Sequence, residues 1–113
     1  MYSKKDNRNT IMLFRALSQE SRVRILQLLS QRTLCVGAIS NLLGISAGAI
    51  SQHLRVLKDA GLVKAERQGY FIHYTVAQEA AARCETAIES TFGLKKGSKQ
   101  YSMEKQSTKD RKS

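Results

Sequence analysis

Between residues 36 and 60 two short helical patterns are separated by only Gly44-Ile45-Ser46. Val36 to Leu43 places Ile39, Leu42 and Leu43 at helical spacing and stops at Gly44, a C-terminal helix signal. Ser46 is suited to cap a further helix from Ala47 to about Ala60, which Gly61 ends. Two short helices joined by so short a Gly-containing link must brace one another at a steep angle, the helix-turn-helix arrangement.

At about 100° per residue, Ala47, Ile50, Leu54 and Leu57 of the second helix share a core side, with His53 at its edge. Gly48, Ser51, Gln52, Arg55, Lys58 and Asp59 share the other. Gly48 and Ser51 allow close approach, and Gln52 and Arg55 can donate to base edges in a major groove. Ser46, Ser51 and the free N–H groups at the helix start suit phosphate. A solvated amphipathic face has the same pattern, so this helix alone leaves both readings open.

The surrounding chain narrows them. Thr10 to Leu17 and a segment ending near Ser30 read as two earlier helices, Ser18 capping the second, which turns Ile25, Leu26, Leu28 and Leu29 inward and Arg22, Arg24 and Gln27 outward. Leu62 to Glu66 and Tyr70 to Val76 read as strands joined at Gln68-Gly69. This hairpin carries Lys64, Arg67 and Gln68 near its tip, a second element able to reach a DNA backbone or minor groove, with Glu66 an opposing charge. A last helix over about Gln78 to Phe92 shows an apolar stripe of Ala81, Cys84, Ile88 and Phe92. The expected fold is mainly α (α+β), a winged helix-turn-helix in the order α-α-α-α-β-β-α. It occupies residues 10–92, with an N-terminal tail at 1–9 and a basic, disordered tail at 93–113.

The net charge of +10 over 113 residues favours a polyanionic partner. Half of that excess lies in residues 94–113, where seven basic residues face two acidic ones in a polar segment that cannot bury a core. No apolar run approaches the roughly 20 residues of a bilayer span, and the N-terminus lacks a signal-peptide stretch. Two cysteines, Cys35 and Cys84, are too few for a disulfide framework, so a cytoplasmic location with reduced thiols is expected.

Leu34-Cys35-Val36, Ile39 through Ser46, Ile50 through Val63, Arg67-Gln68-Gly69 and Tyr74 together closely resemble the ArsR/SmtB family of repressors. The resemblance covers about residues 10–92. It implies a homodimer held by the first and last helices, binding double-stranded DNA at an imperfect palindromic operator. It also implies release by an inducer, often a metal ion, a metalloid or a reactive sulfur or oxidant. The chain departs from the family's metal sites. Gly37 stands where a Cys-x-Cys pair beginning at Cys35 would have its second thiol. Gln78, Ala80, Thr91 and Leu94 stand where last-helix zinc ligands would be. No metal site or cofactor is therefore expected.

Cys35 falls at a helix N-terminus, a setting that favours thiolate, and Cys84 falls on the last helix's stripe. These two are the candidate thiol sensors, for a thiol-reactive species or for a soft metalloid held by thiols across the dimer, weighed against a capping role for Cys35 and plain packing for Cys84. A docking module would show apolar anchors on the fourth helix's outer face, and this one is polar. A non-specific DNA-coating protein fits the basic tail but leaves that face unused. The chain has no Gly-rich phosphate loop, paired catalytic carboxylates or metal triad, so it is not read as an enzyme.

Overall fold

In the computed structural model, residues 3–94 are described. They form helices α1 (Lys4–Ala16) and α2 (Glu20–Leu29), strand β1 (Leu34–Cys35), helices α3 (Val36–Leu43) and α4 (Ala47–Asp59), strands β2 (Val63–Gln68) and β3 (Phe71–Val76), and helix α5 (Ala80–Phe92). The expected helices and hairpin are all present, in order. The basic segment from Lys95 onward lies outside the described residues.

The core joins Leu13 and Ala16 of α1, Ile25 and Leu29 of α2, Ile39 of α3, and Ile50, Leu54 and Leu57 of α4. Leu62, Val63 and Ala77 close it beneath the sheet, and Ala80 and Ala87 contribute from α5. Burial of this one apolar cluster sets the angles between the short helices, whose intrinsic stability in isolation is marginal.

Four features correct the sequence reading. First, α1 begins at Lys4 rather than Thr10, so the segment read as a tail at 1–9 is helical from Lys4 on. The Ser3 hydroxyl accepts from the Asp6 amide at 3.0 Å, and residues 4–9 are polar and exposed, leaving no apolar rhythm to reveal the extra turns. Second, the N-cap of α2 is Gln19, without a side-chain bond, because the Ser18 hydroxyl turns back to donate to the Arg15 carbonyl. Third, Leu34–Cys35 adds a short antiparallel strand, giving the sheet order β1-β3-β2. Fourth, the hairpin pairs Gln68 with Phe71, so its loop is Gly69-Tyr70. Of these two only Gly69 has positive φ (65°), the pattern of a II′ turn.

Two smaller departures concern faces. Ala47, placed on the core side, is exposed in the first turn of α4. The stripe of α5 mostly faces outward: Ile88 is 44 % and Phe92 72 % exposed, while Ala80 and Ala87 make the core contacts.

Candidate nucleic-acid interface

Gly44 takes the left-handed conformation (φ 68°, ψ 34°) that turns the chain between α3 and α4. A side chain there would be strained, although nothing blocks the space. The Ser40 hydroxyl reaches across this turn to the Ile45 carbonyl at 2.5 Å, fastening α3 to the link. Ser46 then caps α4, its hydroxyl accepting from the Ala49 amide at 3.2 Å. Buried Ile50, Leu54 and Leu57 fix the roll of α4, and Gly48, Ser51, Gln52 and Arg55 are therefore exposed together on its outer face. A Cβ on Gly48 would meet nothing, so no contact within the fold calls for glycine there.

The wing candidates divide. Residues directly opposite in an antiparallel pair share a sheet face. Arg67 opposes Ile72, and Ala65 opposes Tyr74, on one face. Lys64 opposes Thr75, and Gln68 opposes Phe71, on the other. Tyr74 lines a cleft with Ser51 and Arg55 of α4, so Arg67 lies on the sheet face turned toward the helix. Lys64 and Gln68 are exposed but point from the opposite face, and Lys64, expected near the tip, pairs with Thr75 at the base of the wing beside the Val63–Val76 pair, so only Arg67 and Gln68 lie near the turn.

Arg22, read from the sequence as outward, is buried at 7 % exposure. Its Nε donates to the Ala16 carbonyl at 2.8 Å and its Nη2 to the Arg15 carbonyl at 3.0 Å, seating the cation on the negative end of α1. Its Nη1 lies 3.3 Å from Nδ1 of His53 on α4. Burial, and then the Arg22 charge, lower the His53 pKa below the ordinary histidine value. Helical periodicity had no means of showing this. The available signal was the brevity of the Leu17-Ser18-Gln19 link, which sets the last carbonyls of α1 beside the first turn of α2.

Cys35 is the N-cap of α3, half-buried, with no side-chain capping bond. It stands directly opposite His73 on β3, whose buried Nδ1 has no hydrogen-bond partner. Cys84 is half-buried on α5, and burial raises its thiol pKa against a smaller opposing effect of Arg83. Among the described residues no group of three or more His, Cys, Asp or Glu side chains is placed to hold a metal ion.

Residues 19–65, spanning α2 through the first part of the wing, match the profile of the bacterial regulatory protein, arsR family. The chain is similar to the arsenical resistance operon repressor of Escherichia coli, 34 % identical over 83 residues that cover 73 % of this chain and 71 % of that protein. The chain belongs to the arsR family. It is similar also to a cadmium resistance transcriptional regulatory protein CadC homolog of Staphylococcus aureus, 33 % identical over 78 residues. That match covers 68 % of this chain and 64 % of the relative's length. Among solved structures, the homodimeric winged helix-turn-helix DNA-binding domain Mb0332 of Mycobacterium bovis superimposes with a TM-score of 0.66 at 29 % identity. The superposition covers 81 % of this chain and 88 % of that one. As an arsR-family member of this fold, the chain is a transcriptional regulator, and α3 and α4 form its helix-turn-helix. No helix of the described residues is long and apolar enough to cross a membrane.

Proposed function

We propose that this arsR-family regulator is a cytoplasmic, non-enzymatic repressor that binds a sequence-specific double-stranded DNA operator as a homodimer, within a folded domain that ends near Phe92. The observation that carries the reading is the outer face of α4, where Gly48, Ser51, Gln52 and Arg55 are exposed in one polar patch on a helix rolled into place by its buried side. Gln52 and Arg55 read base edges. Ser46 and Ser51 approach phosphates at the helix N-terminus. Arg67 reaches the flanking backbone from the wing face beside α4, while Lys64 and Gln68 serve the far side of the wing. The dimer is formed by α1 and α5, which together leave Ile11, Met12, Ile88 and Phe92 exposed. Such apolar exposure fits an interface with a second copy, and an imperfect palindrome is the matching DNA symmetry.

Release by an inducer acting on thiols, whether a thiol-reactive species or a metalloid, is assigned to Cys35 first. Its thiol makes no capping bond and is half-buried beside an imidazole with an unused nitrogen. Cys84 is the weaker partner, since burial disfavours its thiolate.

Arg55→Ala tests the base-reading assignment. It is expected to cost about 1–3 kcal/mol on the operator and to relax base preference there. Equal weakening on operator and random duplex would place Arg55 on the backbone instead.

A further inference from the structure

A cleft of about 560 Å³ opens between the first turn of α2 and the flank of α4. Arg22 and Gln19 line it from α2, and Ser51, Gln52, His53 and Arg55 from α4. Two guanidinium groups border it and no carboxylate does. That is the electrostatic signature of an anion site. It adjoins Gln52 and Arg55, assigned above to base reading, and a helix seated in a major groove has a sugar-phosphate backbone along its flank.

His53 gives the cleft a directed donor. A guanidinium only donates, so the 3.3 Å contact from Arg22 makes Nδ1 of His53 the acceptor. The neutral ring then carries its proton on Nε2. Nε2 makes no hydrogen bond among the described residues and is not sealed from solvent. Arg22 is itself immobilised by the Ala16 and Arg15 carbonyls, so the ring's tautomer and orientation are set before any ligand arrives. Such prearrangement lowers the ordering cost of binding.

We propose that this cleft is a notch for one DNA backbone phosphate, in which His53 Nε2–H donates to a phosphate oxygen and Arg22 is the positioning residue that aims it. The notch rests on the DNA-binding reading above and deepens it, adding a contact on the flank of α4 away from the wing. Arg22 stays behind His53, holding α1, α2 and α4 in one relative arrangement while the imidazole meets the ligand.

The experiment uses the full chain and a duplex enriched by the wild-type protein from a random pool, prepared as a series that each carry one neutral methylphosphonate linkage. One linkage per half-site is expected to weaken wild-type binding about tenfold, the scale of one hydrogen bond to a charged group. His53→Ala should weaken binding to the unmodified duplex by a similar factor and be indifferent to that linkage. His53→Gln, whose amide donates from near the position of Nε2, should restore sensitivity to it. If His53→Ala fails to fold by circular dichroism, the His53→Gln series decides alone. A His53→Ala protein that folds and keeps the full tenfold sensitivity at every linkage overturns the notch and leaves His53 a packing residue. A folded His53→Gln protein blind to every sensitive linkage overturns it too. A wild-type protein that enriches no duplex overturns the DNA reading itself, before any variant is compared.

Discussion

The Arg83 guanidinium of α5 lies against the α-carbon of Gly61, so close that a Cβ on Gly61 would overlap Nη1. The last helix thus rests on the glycine that follows α4, and Ala60, Leu62 and Ala80 around it are buried. Gly61 also has φ 77°, a conformation that L side chains resist. Gly61→Ala therefore faces two obstacles of unequal weight. The Arg83 tip can swing aside, whereas the backbone cannot. The expected loss is about 1–2 kcal/mol of unfolding free energy in urea, from the backbone. Truncating Arg83 to Ala in the same chain should recover little of it. Full recovery would show that the clash, not φ, sets the need for glycine.

Acid should weaken the fold through His53. Its folded pKa is lowered, by burial first and by Arg22 second. The charged groups lining its cleft are Arg22 and Arg55, and no carboxylate there opposes them. Below the ordinary histidine pKa of about 6.5 the unfolded chain then binds more protons at this site than the folded one. Stability from this site is complete above that pH, declines as pH falls through it, and levels off below the folded pKa. The melting temperature of the wild type should drop between neutral pH and pH values below about 6.5 more than that of His53→Gln, which has no such proton to take up. Parallel curves for the two proteins would remove His53 as the source.

Gly48 offers a separation of fold from function. It occupies the first turn of α4, and a Cβ there meets nothing. Gly48→Ala should stabilise the folded chain by about 0.5–1 kcal/mol, since glycine is the costlier residue in a helix. The same change should weaken operator binding if the helix comes close enough to DNA to need a bare backbone. Higher stability with unchanged affinity would take Gly48 out of the interface.

The helix-turn-helix was legible because its punctuation is local: Gly44 ends one helix, Ser46 begins the next, and both act as read. The roll of α4 was legible for Ile50, Leu54 and Leu57, whose spacing admits one buried side. Arg22 was not, because its burial depends on carbonyls of α1 brought close by a turn that apolar periodicity does not register. His53 was missed with it. It looked like an edge residue, and only the guanidinium behind it turns the ring into an aimed donor. The two-residue strand at Leu34–Cys35 is too short to show alternation, and it exists because β3 has a free edge for it. The outward stripe of α5 was read correctly as apolar, but a single chain leaves much of it exposed.

The exposed face of α4 is expected to read a DNA sequence. The most direct test is fluorescence anisotropy of the full chain on the duplex upstream of its own coding region and on a scrambled duplex of equal length, across several salt concentrations. Binding to the upstream duplex is expected to be tighter by about 10³ or more, a ratio typical of specific regulators. Equal affinities for both duplexes, falling together steeply with salt, would contradict it and leave only phosphate attraction.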